Sequence, residues 1–191
     1  EIKPGNLIVG LASSGVHSNG LTLARRVLLG ENQEEQKSRV NDYEEFLGQT
    51  LGEALLEPTR IYVKPVMQML DSGLDLKAMV HITSGGLCNL NRVESDNIRF
   101  VIDTLQPVPE IFNLIQDRGG VSEAEMFEVF NMGTGFCLIV EGTQEVEAIS
   151  KICKEHDLPC QVIGHVEACQ GKEVFLPQKQ LIGKGSRFQN S

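Results

Sequence analysis

The chain has 191 residues, with 17 Lys and Arg against 26 Asp and Glu and a formal net charge of −9 at pH 7. Its 41% apolar and 23% charged content excludes disordered and fibrous classes, and its length allows a core without metal or disulfide staples. The acidic balance argues against nucleic-acid binding, since no basic stripe would neutralise phosphates. The apolar runs Leu7–Ala12 and Phe136–Val140 are far shorter than the roughly 20 residues that span a bilayer.

In chain order, Glu1–Gly5 is expected to lead straight into the fold without a signal peptide. Leu7–Ala12 reads as a buried strand. After a Ser/Gly loop, Leu21, Ala24, Val27 and Leu28 mark one face of a helix. The acid-rich stretch Glu31–Glu45 has no apolar period and is expected to be an exposed, mobile excursion. Val63–Asp71 reads as a helix carrying Val66, Met67 and Leu70, stopped by Ser72-Gly73, and Leu76–Thr83 as a strand. Ile98–Ile102 is a strand and Pro109–Asp117 a helix.

Ser122-Glu123-Ala124-Glu125 has the pattern of a capping box opening a short helix. Thr134–Val140 is an apolar strand, and Glu145–His156 an amphipathic helix with Val146, Ile149, Ile152 and Cys153 inward. Gln161–Val166 and Glu173–Leu176 close the sheet, and Gly183–Ser191 is expected to fray. The fold expected is an α/β (α+β-like) domain, a mixed β-sheet with packed helices. It occupies residues 1–177, with a polar tail over 178–191. The five cysteines form no CxxC pair and an odd number, which fits reduced thiols in a cytosolic protein better than zinc or redox chemistry. No spacing resembles a metal site.

Three loops at strand–helix junctions are rich in Gly, Ser, Thr or Asn. In Ser13-Ser14-Gly15-Val16-His17-Ser18-Asn19-Gly20, glycines permit close backbone approach and the next helix offers free N–H groups to an anion. His17 suits proton transfer or phosphate contact; a plain helix-capping loop with a surface His17 is an equal alternative. His81-Ile82-Thr83-Ser84-Gly85-Gly86 repeats the chemistry, although His81 itself reads as a hydrogen-bonded core histidine. In Asn131-Met132-Gly133-Thr134-Gly135, the local pattern favours Gly133 as a left-handed helix stop and Gly135 as a bulge. Arg60, fixed after Pro58-Thr59, could hold a phosphate or a carboxylate within the fold.

These loops, together with Leu51-Gly52-Glu53-Ala54-Leu55-Leu56 running into Pro58-Thr59-Arg60-Ile61-Tyr62, closely resemble the aminoimidazole ribonucleotide synthetase family, the phosphoribosylformylglycinamidine cyclo-ligases. The motifs stand in the family's order from Pro4 to about Phe175 and look like its C-terminal domain. The resemblance implies ATP-dependent activation of the formyl oxygen of formylglycinamidine ribonucleotide. Its amidine nitrogen then closes an imidazole ring in purine biosynthesis, releasing ADP and phosphate.

It further implies that ATP and Mg²⁺ are held mainly by an N-terminal domain absent from this chain, a cytoplasmic homodimer at full length, and an inactive fragment here. Carried over, His17 is the candidate acid/base or phosphoryl-contacting residue, and Ser13, Ser14, Gly15, Ser18, Asn19 and Gly20 cradle substrate or phosphate. Arg60, Thr83, Gly85, Gly86, Asn131 and Gly133 are further candidates. Val16 replaces the usual Pro and Ser84 the first of a usual triple glycine. The alternative is a stand-alone, non-catalytic domain binding a phosphorylated metabolite or a partner subunit.

Overall fold

A computed structural model describes Glu1 to Ser191. The first half runs β1 (Leu7–Ala12), α1 (Leu21–Leu29), α2 (Gln33–Arg39), β2 (Tyr43–Glu44), β3 (Gln49–Thr50), α3 (Leu51–Leu55), α4 (Val63–Asp71) and β4 (Ala78–His81). A 3₁₀ helix at Gly86–Arg92 leads to β5 (Ile98–Ile102), α5 (Glu110–Gly119), α6 (Glu123–Val129) and β6 (Thr134–Val140). The chain closes with α7 (Thr143–Glu155), β7 (Cys160–Ala168), β8 (Lys172–Leu176), β9 (Leu181–Lys184) and β10 (Arg187–Asn190).

Eight strands form one mixed sheet in the order β10-β9-β8-β5-β7-β1-β6-β4. Only β5 and β8 pair in parallel. Strand alternation divides the core: Ile8, Cys137 and Ile139 face the larger cluster with Ala24, Leu28, Phe112 and Phe127, contributed by α1, α5 and α6. Val9, Leu11, Leu138 and Val140 face a smaller cluster with Met69, Ile149 and Ile152, from α4 and α7. Helices on both faces explain why β1 and β6 are continuous apolar runs rather than alternating ones.

The long apolar elements fall where the pattern placed them, β1, α4, β5 and β6 to the residue. Three expectations change. Glu31–Glu45 is exposed but ordered into α2 and β2; Asn32 caps α2 by accepting from the Glu35 N–H, and no α2 side chain is buried. Acidic residues at a helix start and basic ones at its end explain a surface helix without an apolar face. At Ser122 only half of the capping box forms: its hydroxyl accepts from Glu125 N–H. The reciprocal pair forms instead at Thr50 and Glu53, opening α3.

The C-terminal segment does not fray, because β9 and β10 form a hairpin on the sheet edge. Leu181 and Phe188 are buried in the larger cluster. Phe188 packs edge-on against Phe127, and its N–H donates to the Glu128 carboxylate at 2.6 Å. Phe188 stands alone among polar neighbours and Leu181 has only Ile182 beside it, so their burial has no local periodic signal.

Candidate functional site

β1 and β4 end, and β6 begins, at one edge of the sheet, because β6 runs antiparallel to both. The three Gly/Ser loops therefore meet. The first is not a surface cap: Ser13, Gly15, Val16 and His17 are buried and only Ser18 is fully exposed. Asn131 ties it to the third loop. Its Oδ1 accepts from the Ser13 hydroxyl at 2.7 Å and from the Gly133 N–H at 3.0 Å, and its Nδ2 donates to the Gly15 carbonyl at 2.8 Å. Ser13 N–H completes the tie by donating to the Gly133 carbonyl at 2.9 Å. Val16, in place of the usual Pro, fills the larger core at 1% exposure. Gly20 turns the chain into α1 at φ +76, where a Cβ would lie 2.4 Å from the Phe130 ring.

His17 occupies the centre at φ 59 and 6% exposure. Its Nε2 accepts from the Ser14 N–H at 3.1 Å and from the Arg60 N–H at 3.5 Å. The Ser14 hydroxyl hydrogen is committed to the Pro58 carbonyl at 2.6 Å. Two backbone donors on Nε2 assign the proton to Nδ1, which is buried without a hydrogen-bond partner. Burial first, then the charges of His81 and Arg60, lowers the His17 pKa to about 4. His17 Nε2 thus bonds the Ser14 and Arg60 amides. Its basic nitrogen is already occupied by the loop, and its ring is shielded from solvent.

The second loop joins at the surface, where the Ser84 hydroxyl donates to Asn19 Oδ1 at 3.0 Å. The departure from triple glycine thus supplies the link between loops. Asn89 holds this loop through Oδ1, which accepts from the Thr83 N–H at 2.7 Å, and through Nδ2, which donates to the Ser84 carbonyl. Gly85 and Gly86 follow at φ 98 and 52, and the Arg92 guanidinium donates to the Ser84 carbonyl at 3.1 Å. Ser18 Oγ lies 3.5 Å from Thr59 Oγ1. Arg60 forms no ion pair within the fold; its Nη1 donates to the Asp157 carbonyl at 3.3 Å.

Sequence reasoning missed an aromatic series beside the loops. The Tyr62 hydroxyl donates to the Ala12 carbonyl at 2.9 Å. Its ring centroid lies 6.4 Å from His17, 6.1 Å from His81 and 5.4 Å from Phe136. Gly135 makes room for this packing, since a Cβ there would lie 1.9 Å from the Tyr62 oxygen and 3.0 Å from the His17 ring. Gly135 is also the extra residue of a bulge, because Leu11 pairs with Phe136 and Ala12 with Thr134.

His81 is exposed and stacks on Phe136, which corrects the expected core histidine. β4 is an edge strand whose alternation sends Val80 inward and Met79 and His81 outward. Beside it, Arg60, Tyr62, Met67, Met79, His81 and Phe136 line an apolar cleft of about 430 Å³. The position of Tyr62 just before a helix was legible; its contacts across the sheet were not.

Chemically, Ser14, Ser18, Asn19 and Ser84 present polar groups at one surface. α1 starts beside them with no side-chain cap and no acidic residue in its first turn, leaving early N–H groups free for an anion. No group of three or more His, Cys, Asp or Glu side chains gathers with metal-binding geometry.

Among solved structures, the chain is similar to thiamine-monophosphate kinase from Stenotrophomonas maltophilia, at a TM-score of 0.51 and 17% identity over 91% of this chain and 51% of that one. It is also similar to T. maritima PurL complexed with ADP, at a TM-score of 0.50 and 16% identity over 92% and 23%. Both likenesses are at the level of fold. By sequence it is 46% identical over 167 residues to a phosphoribosylformylglycinamidine cyclo-ligase of Methanococcus maripaludis, covering 87% of this chain and 46% of the relative. It is 45% identical over 176 residues to that of Carboxydothermus hydrogenoformans, covering 92% and 50%. The chain spans about half the length of the curated relatives it matches. Residues 3–177 match the family described as AIR synthase related protein, C-terminal domain, and the chain belongs to that family.

Proposed function

We propose that this chain is the substrate-side half of an ATP-dependent cyclo-ligase that converts formylglycinamidine ribonucleotide to aminoimidazole ribonucleotide. The observation that carries the reading is the convergence of the three loops, with Asn131 joining the first to the third and Ser84 joining the second to the first. Ser14, Ser18, Asn19, Gly20, Thr83, Gly85, Gly86 and Arg60 border the proposed site for substrate phosphate or the phosphate released from ATP. Ser13, Gly15, Asn131 and Gly133 hold the cradle in shape, and His17 positions the Ser14 and Arg60 amides.

ATP supplies the phosphoryl group that activates the formyl oxygen. Hydroxyls, an amide and free helix N–H groups suit phosphate oxygens. None of these named residues is a carboxylate, and the Mg²⁺ ligands are assigned to the remaining half of the full-length enzyme. That half, homodimerisation and a cytoplasmic setting belong to the same proposal; no helix here is long and apolar enough to cross a membrane.

The test uses the full-length enzyme with formylglycinamidine ribonucleotide and ATP. Asn19→Ala is expected to lower kcat/KM by about tenfold or more, on the order of 1.4 kcal/mol of transition-state stabilisation. Unchanged turnover would remove the loop from the site. The 191-residue chain alone is expected to hydrolyse no ATP, and clear turnover by it would overturn the division of labour.

A further inference from the structure

The chain has a formal net charge of −9, yet three basic residues gather where the start of α4 meets the end of α7. Arg60, Ile61, Lys64, Pro65, His156 and Leu158 line a pocket of about 290 Å³, with no Asp or Glu among them. The pocket lies apart from the loop cradle. The Arg60 backbone N–H bonds His17 Nε2, whereas its guanidinium reaches the turn after α7, where Nη1 donates to the Asp157 carbonyl at 3.3 Å.

These basic groups are not spent within the fold. Arg60 has that one carbonyl contact and no ion pair, which leaves most of its five N–H donors free. Lys64 is exposed and pairs with no carboxylate. Glu155, next to His156 in the chain, is engaged by the Gln68 amide, whose Nε2 donates to it at 2.8 Å. That orientation makes Gln68 Oε1 the acceptor for His156 Nε2–H at 2.7 Å, so Nδ1 remains for a ligand. Buried Pro65 and Leu158 supply apolar wall. α4 starts here with no side-chain cap and no acidic residue in its first turn, which adds to the positive potential.

We propose that this pocket is a second anion site, which binds a phosphoryl group, either free or carried on a sugar or nucleoside. The Arg60 guanidinium presents paired donors to two phosphate oxygens, and the Lys64 ammonium adds a mobile point charge. His156 Nδ1 accepts from a P–O–H group or, on a protonated ring, donates to a phosphate oxygen. A tetrahedral dianion has oxygens enough for all three groups; a planar carboxylate has two.

The site does not need the reaction proposed above, but one segment ties it to the loops. Arg60 gives its N–H to His17, and the Pro58 carbonyl, two residues earlier, holds the Ser14 hydroxyl. A phosphate that draws the Arg60 guanidinium from the Asp157 carbonyl therefore acts on the segment that braces the first loop.

The test is a titration of the 191-residue chain with inorganic phosphate, a pentose phosphate and ADP in separate arms. Ionic strength is held constant with chloride, and amide and imidazole NMR shifts are followed. Saturable shifts are expected at Lys64, His156 and Leu158. Tighter binding of the pentose phosphate or of ADP identifies the group that carries the phosphate, and equal binding in the three arms identifies the phosphoryl group alone. Lys64→Gln, at an exposed position that preserves folding, is expected to weaken binding about fivefold, the scale of one exposed charged contact. Adding His156→Asn should bring the loss to about tenfold or more. Saturable shifts confined to Ser14, Ser18 and Asn19 would overturn this site while leaving the loop cradle standing. Unsaturated shifts spread over the surface lysines, or affinity unchanged in both variants, would overturn it outright.

Discussion

At the scale of single residues, His17 and Asn131 form a buried polar framework. Each satisfies backbone groups that a Gly/Ser loop cannot pair by itself. Asn131 engages Ser13, Gly15 and Gly133, so Asn131→Ala would strand several buried groups at once. Urea denaturation is expected to show a loss of about 2–4 kcal/mol; a loss below about 1 kcal/mol would mean that the loop holds itself.

His17 adds a pH dependence whose sign is fixed. Its folded-state pKa, about 4, lies below the ordinary value of 6.5, so the unfolded chain takes up the proton first. The stability contributed by neutral His17 is complete above pH 6.5 and is lost as pH falls from there toward 4. Asn tolerates the left-handed backbone at position 17 and carries no titrating group. The urea midpoint of His17→Asn is therefore expected to fall less between pH 7 and 4.5 than that of the parent chain. Equal falls would show that His17 does not titrate in that window.

At the scale of elements, the terminal hairpin shows how a polar segment becomes part of the core. β9 pairs with β8, and β10 pairs with β9. Phe188 thereby meets Phe127 on α6, with the Glu128 carboxylate receiving its N–H. A frayed tail would tolerate loss of the ring, whereas a docked one leaves a cavity beside Phe127. Phe188→Ala is expected to cost about 3–5 kcal/mol, read as a lower denaturant midpoint. Ser186→Ala in the exposed turn should be nearly neutral. α2 is the opposite case: ordered by its cap and charge placement, it contributes no buried side chain to either core.

At the scale of the molecule, the two faces of the sheet are unequally covered. α1, α3, α5 and α6 close the larger core, whereas α4 and α7 leave one margin of the other face open near β4. Ile61, Val63, Met67, Leu70 and Met79 are all exposed along that margin, beside the cleft with Tyr62 and Phe136. Contiguous apolar surface of this kind binds apolar dyes and promotes association. In isolation the chain is expected to enhance the fluorescence of an anilinonaphthalene dye. Met67→Glu with Leu70→Lys should abolish most of the signal without changing the urea midpoint by more than about 0.5 kcal/mol, as for surface substitutions.

Much of this architecture is local information. The apolar runs of β1 and β6, the helical periods of α1 and α7 and the stops at Ser72-Gly73 and Gly120 are written in residues close together in sequence. So is the identity of the Gly/Ser loops, because anion-binding turns require particular residue types within a few positions of a helix start. Burial is different, because it depends on which distant element covers a face. Residue type could not decide that His17 is enclosed with its basic nitrogen occupied while His81 lies open on an edge strand. Nor could it decide that Phe188 docks on Phe127. By itself the sequence determined the long apolar elements, the loop chemistry and the family resemblance. Only the tertiary structure decided which polar groups are spent inside the protein and which remain free to act, since hydrogen-bond partners and solvent exclusion come from strands and loops far apart in the chain.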